Sequence, residues 1–326
     1  MKFDETRETY GKIATLYYMG ELSQDEIAQI FNISRFKVSR VLKRCKELNI
    51  IEFRVNNKPH YYKSMEAQII KGLDIKKCII VNPGTTALES KTNVGKAGAK
   101  YLAERLKDGM LVGLDWGTTL QTMVREFSPE QQYHDSLFVQ ISGSTASQSV
   151  SDSWYMDGHD IVKSLATKAG AQWSLFPVPY IVKDKVLRDM LLEEKTIKSH
   201  IDYFKKLDIA FFGLSSCQPE VYIPFYKNYL SAKECNLLRK QERFGEVFSC
   251  LLDERGNAID SILKDRVMTI EPELLKAVPE TVALAAGKDK VKSIVAAARG
   301  GYFTTMITTE VVALSVLELL EREQEK

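Results

Sequence analysis

A chain of 326 residues that is 44% hydrophobic and 27% charged has room for one large folded domain and one small one, which excludes a disordered chain. The formal net charge of +2 is nearly neutral, so basic character is local to the N-terminal region and not a property of the whole surface. The longest apolar runs fall well short of the roughly 20 residues of a membrane span, no signal peptide opens the chain, and the five cysteines show no paired short spacing. A soluble cytoplasmic protein without metal, cofactor or disulfides is therefore expected.

In chain order, Tyr10, Ile13, Ala14, Leu16, Tyr17 and Tyr18 predict a first helix from about Glu5, ending at Gly20 as C-cap. Ser23 followed by Glu26 is a capping box for a second, short helix with Ile27, Ala28 and Ile30 as its buried face. Phe31-Asn32-Ile33 makes a tight connection, and Ser34 can cap the next helix. From Ser34 to Asn49 the residues Val38, Val41, Leu42, Cys45 and Leu48 form an apolar stripe. Arg35, Lys37, Arg40, Lys43, Arg44 and Lys46 crowd the other faces.

Two short helices with a brief turn and a basic second helix describe a helix-turn-helix, whose second helix enters the DNA major groove. The N-terminal residues of such a helix reach base edges, which makes Arg35, Lys37 and Ser39 candidates for base contact beside the cap Ser34. Phe36 suits a thymine methyl, while Arg40, Lys43 and Arg44 are placed for phosphates. The bland alternative is a solvated basic face. Residues Ile50 to Val55 alternate as a strand broken by Asn56 to Pro59. They form either a wing, with Arg54 and Lys58 near phosphate, or a strand leading into a linker.

Beyond residue 58 a helical pattern from Tyr61 to Lys71 ends at Gly72, and the texture then changes. Strand-like runs at Cys78–Val81, Leu111–Leu114, Leu137–Ile141, Ile209–Gly213 and Val282–Ala285 alternate with helical segments. These segments lie at Val94–Leu106, after Thr119, at Ile161–Ala169, at Lys288–Ala298 and at Glu310–Leu320. Such alternation predicts an α/β domain, residues 59–326, with a mostly parallel sheet, following a domain of residues 1–58. In such sheets ligands sit at the carboxyl ends of the strands.

Those ends are small and polar. Asp115-Trp-Gly-Thr-Thr119 leads straight into a helix, where glycine allows close approach and free amides favour an anion. It lacks the lysine and glycine spacing of a nucleotide loop, and a plain capped turn explains it equally. Ser142-Gly-Ser-Thr145, Gly213-Leu-Ser-Ser216 and Gly287 to Lys290 close other strands, and Thr308-Thr-Glu310 heads the closing helix. Together they favour a shared pocket for a phosphorylated or polyhydroxylated small molecule. Trp116 and Trp154 are candidates for the pocket wall, or for core or interface aromatics.

The chain also resembles a known family. The run from Leu22 to Ile51 is similar to the helix-turn-helix of the SorC/DeoR-type sugar-responsive transcriptional regulators. The resemblance continues through Gly113 to Thr119, Asp208 to Leu214, Gly245-Glu246, Val282 to Gly287 with Lys290, Ile294 to Gly301 and Ile307 to Glu310. It implies a winged helix-turn-helix followed by a Rossmann-like domain related to sugar-phosphate isomerases and deaminases. The implied function is a bacterial regulator of carbohydrate genes that binds operator DNA and a phosphorylated sugar and forms homodimers or homotetramers. On this resemblance the phosphate loop falls on Gly117, Thr118 and Thr119, with Lys290 as the basic contact and Glu310 facing the sugar; Ser142, Gly143 and Gly213 complete the effector set. Ser142-Gly143-Ser144 departs from the family's double glycine, and the Schiff-base lysine of some members is absent.

The rival from the enzyme class is a sugar-phosphate isomerase or deaminase carrying a DNA-binding tail, which needs acid–base groups around the reacting carbons. His60, His134, His159 and His200 lie away from the best-matched loops, and Asp115, Asp157 and Glu310 form no recognisable set. A non-enzymatic role is expected, with no catalytic residue assigned. A second rival is an interaction module whose pocket stays empty.

Overall fold

The computed structural model describes residues 5–51, 60–145 and 156–324. The chain folds into two compact units, Met1–Lys58 and Pro59–Lys326. The expected strand beyond Ile51, with Arg54 and Lys58, and the candidate Trp154 lie outside the described residues.

The first unit holds α1 (Arg7–Tyr18), α2 (Gln24–Phe31) and α3 (Arg35–Glu47). The capping box forms: the Glu26 amide donates to Ser23 Oγ at 3.3 Å, and the Ser23 amide donates to Glu26 Oε2 at 2.8 Å. Helix α2 ends on Asn32 in the left-handed region (φ 50°), which turns the chain into Ser34, whose hydroxyl accepts from the Lys37 amide. The core is Tyr10, Ile13, Ala14, Ile27, Ala28, Phe31, Val38, Val41, Leu42 and Cys45. Three expectations shift by about a residue. Phe31 fills the place expected of Ile30, which is 41% exposed; Leu48 leaves the stripe as the C-cap of α3; and α1 is capped by Met19 and not Gly20.

The second unit opens with α4 (His60–Leu73), β1 (Lys77–Val81) and α5 (Ala87–Arg105). Next come β2 (Leu111–Leu114), α6 (Thr118–Glu126), β3 (Leu137–Gln140), α7 (Gly158–Ala169) and β4 (Gln172–Ser174). Helices α8 (Lys185–Glu193) and α9 (Lys195–Phe204) lead to β5 (Ile209–Gly213), then α10 (Pro219–Tyr226) and α11 (Ala232–Lys240). A hairpin of β6 (Gly245–Val247) and β7 (Cys250–Leu252) precedes α12 (Pro272–Ala277) and β8 (Glu280–Ala285). The chain finishes with α13 (Val291–Arg299), β9 (Thr305–Thr309) and α14 (Glu310–Gln324).

Seven strands form one sheet in the order β1-β9-β8-β5-β2-β3-β4, and every neighbouring pair is parallel. Both faces are covered by helices, so the central strands are apolar throughout, as in Ile209 to Phe212, all fully buried. From β2 the chain moves outward through β3 to β4, then returns on the other side of β2 through β5, β8 and β9. Its direction therefore reverses between β2 and β5, and a crevice opens there at the carboxyl ends of the strands.

Gly72 does not end α4. It lies inside the helix, where a Cβ would meet Leu320 Cδ1 at 2.8 Å, and Asp74 makes the left-handed exit instead. Helix α5 starts at Ala87, well before the expected Val94, on Thr86 as cap. It crosses α6 so closely that a Cβ on Gly95 would lie 2.5 Å from Thr122 Oγ1, and that hydroxyl donates to the Thr119 carbonyl at 2.7 Å.

Candidate functional site

In the N-terminal unit, α3 is anchored by its apolar stripe, with Val38 and Cys45 fully buried. Ser34, Arg35, Phe36, Ser39, Arg40, Lys43 and Arg44 are exposed, and Phe36 reaches 84%. An exposed phenyl ring held beside a row of cations is costly in water and suited to an apolar contact on a partner. Lys37 is 3.2 Å from Glu5, and Arg35 lies 3.9 Å from Asp25. Such exposed pairs are weak and exchange readily for phosphate. Among the described residues, the side chains of Arg40, Lys43 and Arg44 have no ion pair.

In the second unit the sheet brings several candidates together. Gly117 and Thr118 follow β2, Gly213 ends β5, Lys290 follows β8, and Glu310 follows β9, so they come from four strands adjacent in the sheet. Gly117 has φ 142°, a conformation that L side chains rarely adopt, and as N-cap of α6 it provides no side-chain hydrogen bond. The first amides of α6 are thus left for an anion, with the positive end of the helix dipole behind them. Gly117 and Thr118 are half-buried, whereas Thr119 is buried in the helix.

Lys290 ends a short 3-10 turn, Lys288–Lys290, at the head of α13. Burial of its ammonium, aided by Lys91 and opposed by Asp289, pulls its pKa down to about 8, so it stays mostly cationic at neutral pH. The turn is tied to the β5 loop by Ser216 Oγ, which donates to the Asp289 carbonyl at 3.3 Å.

Other candidates occupy different places from those expected. Ser142 is fully buried; its hydroxyl donates to Asp115 Oδ1 at 2.6 Å and meets Thr269 Oγ1 at 3.1 Å. Gly143 is pressed against the chain opposite, where a Cβ would lie 2.7 Å from the Pro179 carbonyl oxygen. These two residues therefore brace a wall, because the strand continues past β3 into single bridges with Thr269 and Pro179. At Gly213 the nearest atom to a Cβ is Leu120 Cδ1 at 4.0 Å, so a side chain there has room. Glu310 accepts a 2.7 Å hydrogen bond from the phenol of Tyr62 on α4.

Three features beside the crevice go beyond the sequence analysis, in which Asp115 is a possible acid and Trp116 a possible wall residue. Asp115 is a buried acid: burial raises its carboxyl to about 7, against the hydrogen bonds from Ser142 and the Trp116 amide that pull the other way. Trp116 stacks on Phe225 of α10 at 5.0 Å and meets Tyr180 edge-on at 5.3 Å. Behind them, Arg243 and Glu246 form a buried ion pair at 2.7 Å, and the Tyr226 phenol donates to Glu246 at 2.8 Å and lies 2.7 Å from the Ser249 hydroxyl. Burial pushes the Glu246 carboxyl up, opposed first by the Arg243 charge. Asp115 and Trp116 had a sequence signal in the Asp115-Trp-Gly-Thr-Thr119 loop, and Glu246 in the Gly245-Glu246 match; their pairings with Ser142, Phe225, Tyr180 and Arg243 had none.

The acids of the enzymatic rival are each engaged separately: Asp115 with Ser142, Asp157 with Ser144 and Thr145, and Glu310 with Tyr62. His200 is stacked on Phe176 and bonded to Ser174 and the Gln140 carbonyl oxygen, a structural position in which burial lowers its pKa. Among the described residues no cluster of three or more His, Cys, Asp and Glu side chains could hold a metal, and no helix is long and apolar enough to cross a membrane.

A capped helix pair with a basic second helix, followed by a parallel α/β unit with an anion-ready crevice, defines a two-unit architecture of DNA reader and ligand binder. The same architecture occurs in the crystal structure of the full-length sorbitol operon regulator SorC from Klebsiella pneumoniae. That structure matches with a TM-score of 0.72 at 23% identity, over 98% of this chain and 99% of that one. A DeoR family transcriptional regulator from Listeria monocytogenes matches with a TM-score of 0.69 at 21% identity, over 78% of this chain and 98% of that one. In sequence, the deoxyribonucleoside regulator of Bacillus subtilis is 27% identical over 305 residues, covering 93% of this chain and 95% of its own. The profile of the family described as "Putative sugar-binding domain" matches residues 59–318. The chain belongs to this SorC/DeoR-type sugar-binding-domain family.

Proposed function

We propose that this protein is a DNA-binding transcriptional regulator of carbohydrate metabolism genes, and that a phosphorylated sugar in the second unit modulates its grip on the operator. The observation that carries the ligand half is the uncapped start of α6 at Gly117, in the same row of strand ends as the half-buried ammonium of Lys290. A phosphate takes the amides and the ammonium, while Asp115 and Glu310 offer acceptors for sugar hydroxyls. The DNA half rests on α3. We assign base contact to Arg35, Phe36, Lys37 and Ser39, and phosphate contact to Ser34, Arg40, Lys43 and Arg44. The protein acts in the cytoplasm as a homodimer or homotetramer on a pseudo-palindromic site, and carries out no catalysis.

The test is a thermal-shift screen against phosphorylated and free sugars. A ligand that binds only the folded state at 100 times its dissociation constant adds about 2.7 kcal/mol of stability. A sugar phosphate raises the melting temperature of the wild type, and Lys290→Ala abolishes the shift, as does Gly117→Val through the backbone. If only free sugars shift the protein, or Lys290→Ala responds normally, the phosphate site is elsewhere.

The Tyr62–Glu310 hydrogen bond gives the ligand a route out of the crevice. A sugar hydroxyl that competes for Glu310 displaces its hydrogen bond from Tyr62 at the start of α4, the first helix after the DNA-reading unit. A ligand can shift the two states only by its differential affinity, a coupling of about 1–3 kcal/mol in most such systems. Tyr62→Phe keeps the operator affinity of the ligand-free protein and keeps the thermal shift, but loses most of the ligand-induced change in operator affinity. An unchanged response in a gel-shift titration rules this route out.

A further inference from the structure

Helix α5 carries three lysines, and one of them is unlike the others. Lys96 and Lys100 are exposed, and lie 3.7 Å from Glu126 and 3.7 Å from Glu104. Lys91 is half-buried, and among the described residues it has no ion pair. Glu89, two positions earlier, is on another face of the helix, where its carboxylate accepts from the amide and the hydroxyl of Thr85. The Lys91 ammonium has therefore lost part of its hydration with no counter-charge to replace it.

The packing of α5 on α6 sets where that ammonium goes. The Thr122 hydroxyl lies 3.2 Å from the Lys91 carbonyl oxygen and 3.4 Å from the Thr118 carbonyl oxygen, so the backbone of Lys91 runs alongside the first turn of α6. Both helices follow strands of one parallel sheet and begin at the carboxyl ends of those strands. Side chains of an α-helix lean toward its N-terminus, which aims Lys91 at the crevice and not down the helix. Lys290 arrives from β8, on which α5 packs. Burial is the main cause of its lowered pKa; Asp289 opposes the shift, and Lys91 adds to it as a nearby like charge.

Two ammoniums from separate elements thus converge on the start of α6, and among the described residues neither has an ion pair. Their mutual repulsion, added to the positive end of the helix dipole, becomes attraction when an anion bridges them. A carboxylate has one charge and two oxygens. A phosphate monoester carries a charge of about −1.5 to −2 at neutral pH and three acceptor oxygens, one for the amides and one for each ammonium.

We propose that Lys91 is a second phosphate-binding cation of the crevice, and that the crevice takes doubly charged phosphate in preference to a carboxylate. The assignment rests on the effector reading given above and deepens it: acidic sugars without phosphate are excluded as effectors.

The experiment is a melting-temperature titration of the full chain with inorganic phosphate, sulfate and acetate, each against chloride at matched ionic strength and about pH 7.5. Phosphate and sulfate raise the melting temperature of the wild type, and acetate does not. Lys91→Gln weakens phosphate by at least about tenfold, as loss of a hydrogen bond to a charged group does. Lys290→Gln weakens it similarly, while Lys91→Arg, which keeps the charge, restores most of the response. In chloride alone Lys91→Gln melts no lower than the wild type, because it removes one of two like charges, and in phosphate the order reverses. A lysine that only packs α5 on α6 gives a lower melting temperature for Lys91→Gln in every salt, which overturns the proposal. So does a Lys91→Gln protein that answers phosphate as the wild type does, or acetate that stabilises as well as phosphate; loss of the response in Lys290→Gln alone then keeps the phosphate in the crevice on one cation. A wild type indifferent to both dianions also overturns it, and the sugar-phosphate screen decides separately whether the effector reading stands.

Discussion

Replacing Arg40, Lys43 and Arg44 together by alanine weakens operator binding by about a hundredfold at roughly 0.15 M salt. Each cation that neutralises a phosphate contributes about 0.9 to the slope of log affinity against log salt, because it releases a condensed counterion. Three lost contacts therefore lower that slope by about 2.7, and extrapolating this to physiological salt gives the loss. The change falls equally on operator and random DNA, since phosphates carry no sequence information. Alanine is the best helix former, and all three side chains are exposed, so α3 keeps its fold and its packing through Val38, Val41 and Cys45. Arg35→Ala behaves differently, narrowing the gap between operator and random DNA while leaving the salt slope nearly unchanged. Fluorescence anisotropy at four salt concentrations distinguishes the two. A triple variant with wild-type slope removes α3 from the DNA face.

The second large effect is a pH dependence of stability set by Asp115. Its carboxyl is buried and its pKa is raised from the usual 3.8 to about 7, chiefly by loss of solvation. The folded state therefore holds this proton more tightly than the unfolded chain. The resulting stabilisation is fully present below about pH 4 and is lost as pH rises through about 7. Each tenfold separation of proton affinities is worth about 1.4 kcal/mol, so the whole effect is on the order of 4 kcal/mol. Asp115→Asn keeps the shape and the hydrogen bond from Ser142 but has no proton to lose. Between pH 5 and pH 7.5 its melting temperature falls less than that of the wild type, by several degrees at roughly 2–4 °C per kcal/mol. Parallel curves for the two proteins mean that Asp115 is solvated and unperturbed.

The features that sequence reasoning recovered are those whose signal is local. Ser23 with Glu26, Ser34 before its helix, and the stripe from Val38 to Cys45 each place cause and consequence within one or two turns. Their errors are errors of phase, as when Phe31 and not Ile30 faces inward. The central strands β2 and β5 were legible because both faces are buried and the run is apolar and bounded by polar turns. Strand β9 was not, because Thr305 to Thr309 runs into α14 without a breaking residue. It is a strand only by pairing with β1 and β8, whose residues lie far away in sequence. The first turns of α5 were hidden for the opposite reason: Glu89 to Asn93 is polar and mostly half-buried, with no apolar period to detect.

The crevice divides in the same way. Gly117 and Thr118 stood out as candidates because a glycine and a hydroxyl at a strand end suggest an anion by their chemistry, and Lys290 through the family resemblance. Ser142 and Gly143 have similar chemistry, but a wall built from Thr269 and Pro179 encloses them. Tyr62 and Glu310 are 248 positions apart, and nothing near either residue announces the other.

The crossing of α5 over α6 sets limits on how a bound ligand can be felt elsewhere. With Gly95 against Thr122, and the Thr122 hydroxyl fastened to the Thr119 carbonyl, the first turn of α6 can neither slide nor rotate without unseating α5. As the phosphate floor proposed above, this turn behaves as an anvil and not as a jaw. It costs little ordering entropy to use, and it transmits no displacement of its own. On the proposed reading, movement arises among the aromatic side chains around Phe225, which stacks on Trp116 beside this turn, and at the carboxylate of Glu310. Effectors that share a phosphate but differ at the far end of the sugar should then bind with similar strength and yet differ widely in the response they produce.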